Sequence, residues 1–312
     1  MQNKIELIKK AIKQLVPRLK SCDICPRNCK VNRLNGKTGY CKMGESIVIY
    51  TAFLHGGEEP AISGGSGSGT IFFSGCNLGC VYCQNYKFSQ LLKGSIKSPE
   101  ETADIMLKFQ KEKAHNINLV TPTPFLPWIL QALDIALSCG LNIPIVYNTS
   151  GYEKKEIISL LSGIVDIYLP DMKYIGEGLA DQCSSAGNYS FYNKEALLEM
   201  YRQKKTASYK DDILTGGLVV RHMVIPGHID DTKAILSWIK ENIPDCLTSI
   251  MFQYQPYYKA KQIPQINRAV NLDEYNQVKE LVQNLGLKGW IQDLTAQEDM
   301  AGVYFTEDKP SE

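Results

Sequence analysis

Between residues 69 and 290, short runs of β-branched and aromatic residues alternate with stretches whose apolar positions recur at helical spacing. The runs predict strands over 70–73, 118–120, 143–147, 165–169, 218–225 and 248–254. Helices are predicted in the gaps. One opens at the capping box Ser98-Pro99-Glu100-Glu101 and places Thr102, Ile105, Met106 and Phe109 inward. Others bury Ile129, Ala132, Leu133 and Ala136, or run over 153–161, 193–203 and 232–241. The last carries Val278, Leu281, Val282 and Leu285 and is stopped by Gly286. Such alternation means an α/β fold with a parallel sheet and helices outside it. Six strand–helix units are too few for the closed eight-stranded barrel. Ahead of them, Ile5, Ile8, Ile12 and Leu15 mark one face of an N-terminal helix, and 47–50 reads as a further strand.

Composition changes this picture little. The chain has 312 residues, 44% of them apolar and 21% charged, with a formal net charge of +1. That describes an ordinary soluble globular protein and argues for neither nucleic acid nor a membrane as partner. The N-terminus does not read as a signal peptide, and no apolar run is long enough to span a bilayer.

The ten cysteines carry more information. Seven fall in two metal-spaced groups, which points to a reducing, cytoplasmic setting rather than to disulfides. Cys76, Cys80 and Cys83 stand at C-x3-C-x2-C spacing in one loop, F-S-G-C-N-L-G-C-V-Y-C-Q-N, at the carboxyl end of the 70–73 strand. Parallel α/β folds place their chemistry at that end. Three thiolates on one loop fit three irons of a 4Fe–4S cube and leave the fourth iron without a protein ligand. A zinc knuckle is the alternative, but zinc takes four ligands and no nearby histidine completes the loop. Upstream, Cys22, Cys25, Cys29 and Cys41 follow C-x2-C-x3-C-x11-C spacing, with Gly36 and Gly39 permitting tight turns. A second iron–sulfur cluster, a structural zinc and a mononuclear iron all fit this tetrathiolate set.

The 73–85 loop resembles the signature of the radical S-adenosylmethionine superfamily. Over most of its length the chain is similar to the branch related to pyruvate formate-lyase activating enzymes that carries extra N-terminal cysteines. The resemblance implies a partial (β/α)6 TIM-like barrel, open on one side, with a small N-terminal Cys-rich segment. It also implies a 4Fe–4S cluster whose free iron takes the amine and carboxylate of S-adenosylmethionine. An electron from a donor such as flavodoxin or ferredoxin then cleaves the sulfonium to a 5′-deoxyadenosyl radical, which abstracts hydrogen from a protein, peptide or small-molecule substrate. Asn77 and Tyr82 inside the loop are implied as cofactor contacts. Thr121-Pro122-Thr123 stands where activating enzymes have a Gly-Gly-Glu turn that grips the methionine amine, so Thr121 and Thr123 are implied there. Asn148 replaces the carboxylate of a related Asp-Thr-Asn-Gly-Phe segment. Asp171 and Lys173 match an Asp-x-Lys pattern, and Arg221 matches an arginine that contacts the cofactor. Gln253 closes the site, with Gln255 where relatives often have arginine.

The remaining features divide by position. The organisation expected is a helix and Cys-rich segment over 1–68, a barrel over 69–295 and a tail over 296–312. The glycine-rich 64–69 stretch is expected to let backbone approach the cluster. His55 reads as a loop histidine with its hydrogen bonds met, and His222 as packing, since it points opposite to Arg221. Cys139 and Cys246 read as inert buried thiols. Cys183, in a polar 176–190 loop, is a candidate hydrogen-atom donor or substrate anchor. Two other readings stand beside the enzyme: a glycyl-radical enzyme activase, and a non-enzymatic iron–sulfur electron carrier or metal-binding module. Classical activators with extra clusters carry those cysteines after the radical loop, whereas here they precede it.

Overall fold

The computed structural model describes residues 2–294, so the tail expected over 296–312 lies outside the described residues. Helix α1 (Gln2–Leu15) leads into the Cys-rich segment and strand β1 (Ile47–His55). Then come α2 (Pro60–Ser63), β2 (Ser68–Phe73), α3 (Tyr86–Ser89), β3 (Ser95–Lys97), α4 (Pro99–Lys111) and β4 (Ile117–Val120). Next are α5 (Leu126–Ser138), β5 (Ile145–Thr149), α6 (Lys155–Ser159) and β6 (Ile167–Pro170). They are followed by α7 (Glu177–Ser184), α8 (Tyr189–Gln203), β7 (Ser208–Lys210), β8 (Ile213–Met223) and α9 (Ile229–Asn242). The described chain ends with β9 (Leu247–Met251), α10 (Leu272–Leu285) and β10 (Lys288–Ile291).

The strands form one sheet in the order β10-β9-β8-β6-β5-β4-β2-β1-β3, with β7 paired to β8. From β2 to β10 the neighbours along this path are parallel. The two ends of the path do not meet, so the sheet curves as an open α/β barrel. The six expected parallel strands are all present, and β10 adds another beside β9. Its Lys-Gly-Trp-Ile sequence is too short and mixed to read as a strand. On the opposite edge β1 runs antiparallel to β2, and β3 covers β1. The Cys-rich N-terminal segment therefore shares the sheet with the barrel, and α1 packs on α5.

Local signals explain the helix ends. Ser98 Oγ accepts the Glu101 N–H at 3.1 Å, while the Glu101 carboxylate accepts the Ser98 N–H at 2.8 Å. Asn271 and Glu274 repeat that exchange at α10, which Gly286 ends at φ 60°.

Side chains alternate along the parallel strands of the barrel, with register irregularities in β1 and β7. Ile71, Phe73, Ile117, Leu119, Ile145, Tyr147, Leu218 and Val220 point outward into the core beneath the helices. The partners in register on the inner face are Phe72, Val120 and Asn148, then Asp171 beside Arg221, then Ser249 beside Trp290. Below them Val146, Ile167, Leu169, Val219 and Leu247 pack on Ala61 and Ile62 of α2, which closes the lower end of the barrel.

Three expectations are corrected. The 64–69 glycines lie at the amino end of β2, away from the cysteine loop. A Cβ on Gly69 would stand 2.8 Å from Phe109 Cδ2, so there the glycine makes room for α4. Residues 177–184 form α7 rather than loop, because Leu179, Ala180 and Cys183 give it an apolar face. Cys139 is exposed at the α5 carboxyl end instead of buried, whereas Cys246 is buried as expected.

Candidate active site

The loop after β2 carries its three cysteines across the top of the barrel, and each thiol has a donor or hydroxyl beside it. Leu78 N–H donates to Cys76 Sγ at 3.3 Å, Ser184 Oγ to Cys80 Sγ at 2.9 Å, and Ser89 Oγ lies 3.2 Å from Cys83 Sγ. Burial and the neighbouring Cys80 push the Cys76 thiol up, and push Cys83 up to about 11, while the Lys173 charge opposes both. Three clustered thiols beside a lysine are a donor set that a cationic iron cluster would hold as thiolates. Among the described residues no three His, Cys, Asp or Glu side chains close on a single-ion site. The donor set and its hydrogen bonds fit a cluster at Cys76, Cys80 and Cys83.

Below the loop, the inward strand positions assemble one charged network. Asp171 accepts from Lys173 Nζ at 2.6 Å and from Arg221 Nε at 3.0 Å. Arg221 Nη2 donates to Asn148 Oδ1 at 2.6 Å, and Nη1 lies 3.4 Å from Glu58 Oε2. Burial opposes the charge of Asp171, yet the Lys173 and Arg221 charges hold its carboxyl below the usual range. Burial likewise opposes the Lys173 ammonium, which the Asp171 carboxylate holds above its ordinary value. Four residues expected at the cofactor are thus joined in one chain of hydrogen bonds, Lys173 to Asp171 to Arg221 to Asn148. Thr121, at the end of β4, adopts φ 60°, an uncommon conformation for a β-branched residue, and its N–H bonds Asn148 O at 2.9 Å.

A cavity of about 390 Å³ runs through this network. Gln84 and Asn85, next to Cys83, line one end, and Glu58 and Glu59 line another part of it. Gln253 lines it too and accepts from Gln292 Nε2 at 3.1 Å. Glu58 and Glu59 received no role from the sequence. They follow a turn rather than a strand end, and only the closure of the barrel by α2 brings them beneath Arg221. His55 accepts the Gly57 N–H at 3.0 Å and also lines the cavity.

Other expected residues stand elsewhere. Tyr82 OH lies 2.5 Å from Tyr174 OH, which lies 2.7 Å from Ser184 Oγ, so its hydroxyl chain ends on Cys80. Cys183 is buried beside that chain, and its carbonyl accepts the Val81 N–H at 2.8 Å. His222, on the outward face, bonds Met172 O and Thr232 Oγ1 at 2.7 and 3.0 Å, and burial lowers it to about 4. Thr123 also turns outward, donating to Glu153 Oε1 at 2.5 Å, and lines the N-terminal cysteine site together with Asn77.

At that N-terminal site Cys22, Cys25, Cys29 and Cys41 line a cavity of about 20 Å³. Arg33 beside it is 1% exposed, bonds Gly44 O at 3.0 and 2.6 Å, and has no carboxylate within 4.0 Å among the described residues. Its guanidinium lies 5.1 Å from the centre of the Trp128 ring, and its charge opposes the rise that burial imposes on the Cys41 thiol. The site adjoins the first loop: a Cβ on Gly75 would stand 2.7 Å from Cys41 O, and Arg27 Nε donates to Asn77 O at 2.8 Å.

Glu153 lies behind both sites, fully buried with Oε2 unpartnered. Burial pushes it up to about 7, against the Thr123 and Thr149 hydroxyls that favour its charge. With the folded value raised above the ordinary carboxylate range, the native state binds the extra proton. Stability then falls as pH rises from about 4.5 to about 7 and levels off above. Glu153→Gln is expected to gain about 3 kcal/mol relative to wild type between pH 5 and pH 8. Thermal unfolding of both proteins at the two pH values checks this, and a difference that stays constant contradicts it.

Residues 70–253 match the family model "Radical SAM superfamily", and the chain belongs to that superfamily. It is 35% identical over 278 residues to Uncharacterized protein MJ0674 of Methanocaldococcus jannaschii, covering 86% of this chain and 76% of the relative. It is 25% identical to Uncharacterized protein MJ0808 of the same organism, covering 78% and 73%. Among solved structures it is similar to the radical S-adenosylmethionine methyltransferase TsrM from Kitasatospora setae, with cobalamin and a [4Fe-4S] cluster bound. That likeness has a TM-score of 0.43 and 14% identity and covers 62% of this chain but 38% of that chain. No helix among the described residues is long and apolar enough to cross a membrane.

Proposed function

We propose that the chain is a radical S-adenosylmethionine enzyme acting on a protein, peptide or small-molecule substrate. The carrying observation is the three-thiol loop at the end of β2, standing over a cavity lined by Asn148 and Arg221 and joined to Asp171 and Lys173. Cys76, Cys80 and Cys83 would hold a 4Fe–4S cluster, which would supply one electron for the reductive cleavage of S-adenosylmethionine to methionine and a 5′-deoxyadenosyl radical. The chain does the rest. Lys173 and Arg221 offer charge-assisted bonds to the nucleotide's carboxylate or ribose, with Asp171 orienting both. Inward apolar residues below the network limit water at the reacting atoms.

This cavity favours an enzyme over an electron carrier, which has no use for a lined chamber beside its cluster. A relation to the activating-enzyme branch rests on the Cys-Pro-Arg-x-Cys-x-Val-Asn-Arg block at 25–33. Activation of a glycyl-radical enzyme ranks below other modifications, because the extra cysteines precede the radical loop. The cysteine usage supports a cytoplasmic setting with a flavodoxin- or ferredoxin-type donor.

Protein reconstituted anaerobically with iron and sulfide, then given dithionite and S-adenosylmethionine, is expected to release 5′-deoxyadenosine. A Cys76→Ala/Cys80→Ala/Cys83→Ala variant is expected to release none. Release by that variant would falsify the assignment. Iron, sulfide and zinc analysis of the same variant reports what the N-terminal cysteines hold.

A further inference from the structure

We infer that Glu59 is the anchoring group for a cationic nitrogen of the substrate, a primary ammonium or a guanidinium. The inference rests on the enzyme reading above and names its substrate class.

Glu58 and Glu59 reach the cavity by the same route but differ in their surroundings. After β1 the chain turns at Gly56 and Gly57, and α2 then seats Ala61 and Ile62 among the inward residues of β5, β6, β8 and β9. That seating holds the preceding carboxylates at the cavity. Glu58 is accounted for within the chain, by Asn118 Nδ2 at 2.9 Å and Arg221 Nη1 at 3.4 Å.

Glu59 is accounted for only in part: a hydrogen bond with Ser249 favours its charge, but the residue is 7% exposed, lines the cavity, and its Oε2 has no hydrogen-bond partner. Among the described residues no Lys or Arg nitrogen lies within 4.0 Å of it. An acceptor buried without a partner costs free energy, and a carboxylate costs more. A bound donor at this point removes the cost, and a charged donor removes more of it than a neutral one.

The rest of the lining agrees with a cation. Glu58, Glu59 and Asp293 face a single arginine, Arg221, which Asp171 and Asn148 already engage. Met251 and Trp290 supply apolar wall for an alkyl stem. Since the cavity also reaches Gln84 and Asn85 beside Cys83, a substrate held by its nitrogen at Glu59 presents neighbouring carbons toward the cluster end.

The test uses the reconstituted holoenzyme with saturating S-adenosylmethionine and three calorimetric probes: cadaverine, agmatine and 1-pentanol. Wild type is expected to bind cadaverine or agmatine at least about ten-fold tighter than pentanol, and which of the two is preferred tells ammonium from guanidinium. Glu59→Gln is expected to abolish that preference. Equal affinities, no binding of either cation, or a preference that survives Glu59→Gln would overturn the inference. An equal weakening of S-adenosylmethionine and the amines in Glu59→Gln would also overturn it, by assigning the carboxylate to the nucleotide. Should Glu59→Gln fail to fold, the wild-type preference decides alone. Release of 5′-deoxyadenosine by the same wild-type preparation is scored separately. Its absence sinks the enzyme reading, whereas a missing cation preference sinks this inference.

Discussion

Arg221→Met is expected to destabilise the protein by about 3–5 kcal/mol and to abolish binding of S-adenosylmethionine. Methionine nearly fills the volume, so the loss is electrostatic. The guanidinium bonds Asp171, Asn148 and approaches Glu58, and its charge opposes the effect of burial at Glu59. Without it Asp171 keeps Lys173 at 2.6 Å, but Glu58 loses its cation at 3.4 Å and Glu59 loses the more distant charge that opposes its burial. Burial already raises both carboxyls above their ordinary range, and removing Arg221 raises them further. Carboxyls with raised folded values take up protons in the native state as pH falls, which relieves the repulsion. The deficit is therefore expected to be larger at pH 8 than at pH 5. Anaerobic scanning calorimetry at both pH values, with titration of the nucleotide, measures the two effects. A deficit that is equal at both pH values, or nucleotide binding that survives, contradicts the account.

Gly151→Ala is expected to cost about 2–4 kcal/mol and to weaken nucleotide binding, although no side chain of the network is altered. Gly151 has φ 73°, and an added Cβ would collide with Asp171 O and Asn193 Nδ2. That crowding is how the ends of β5 and β6 are held together. Asn193 Nδ2 donates to Gly151 O at 3.1 Å and to Asp171 O at 2.9 Å, and Tyr189 OH reaches Asp171 O at 3.0 Å. A methyl group there must displace the backbone that aims Asp171 at Lys173 and Arg221. Gly178 in α7 has open space around its Cβ direction, so Gly178→Ala is the control and is expected to be neutral or to gain about 0.5–1 kcal/mol. Denaturant unfolding of the two variants checks the contrast. Similar effects from both would show that the site tolerates movement at Gly151.

Much of this was legible before any coordinates. Strand periodicity located the six parallel strands, and parity on β8 separated Arg221 from His222 correctly. Spacing alone singled out the three-cysteine loop. What escaped depends on contacts between segments distant in sequence. Glu58 and Glu59 gain their position from α2 closing the barrel, which no local pattern encodes. Thr123 stands where the resemblance implies a contact to the methionine amine, yet its hydroxyl turns toward Glu153. The 64–69 glycines suggested closeness to the cluster, whereas Gly69 makes room for Phe109 at the other end of β2. Cys183 looked like part of a polar loop because only three apolar residues mark the one face of α7.

The alternation of side chains on β4, β5, β8 and β9 has a further consequence. Cohesion with the outer helices is carried by one set of positions, while the other set meets α2 below and, above it, whatever enters the chamber. Met251 and Gln253 line the chamber and stand outside the layer beneath the helices, so exchanging them samples new reactivities with that helix packing unchanged.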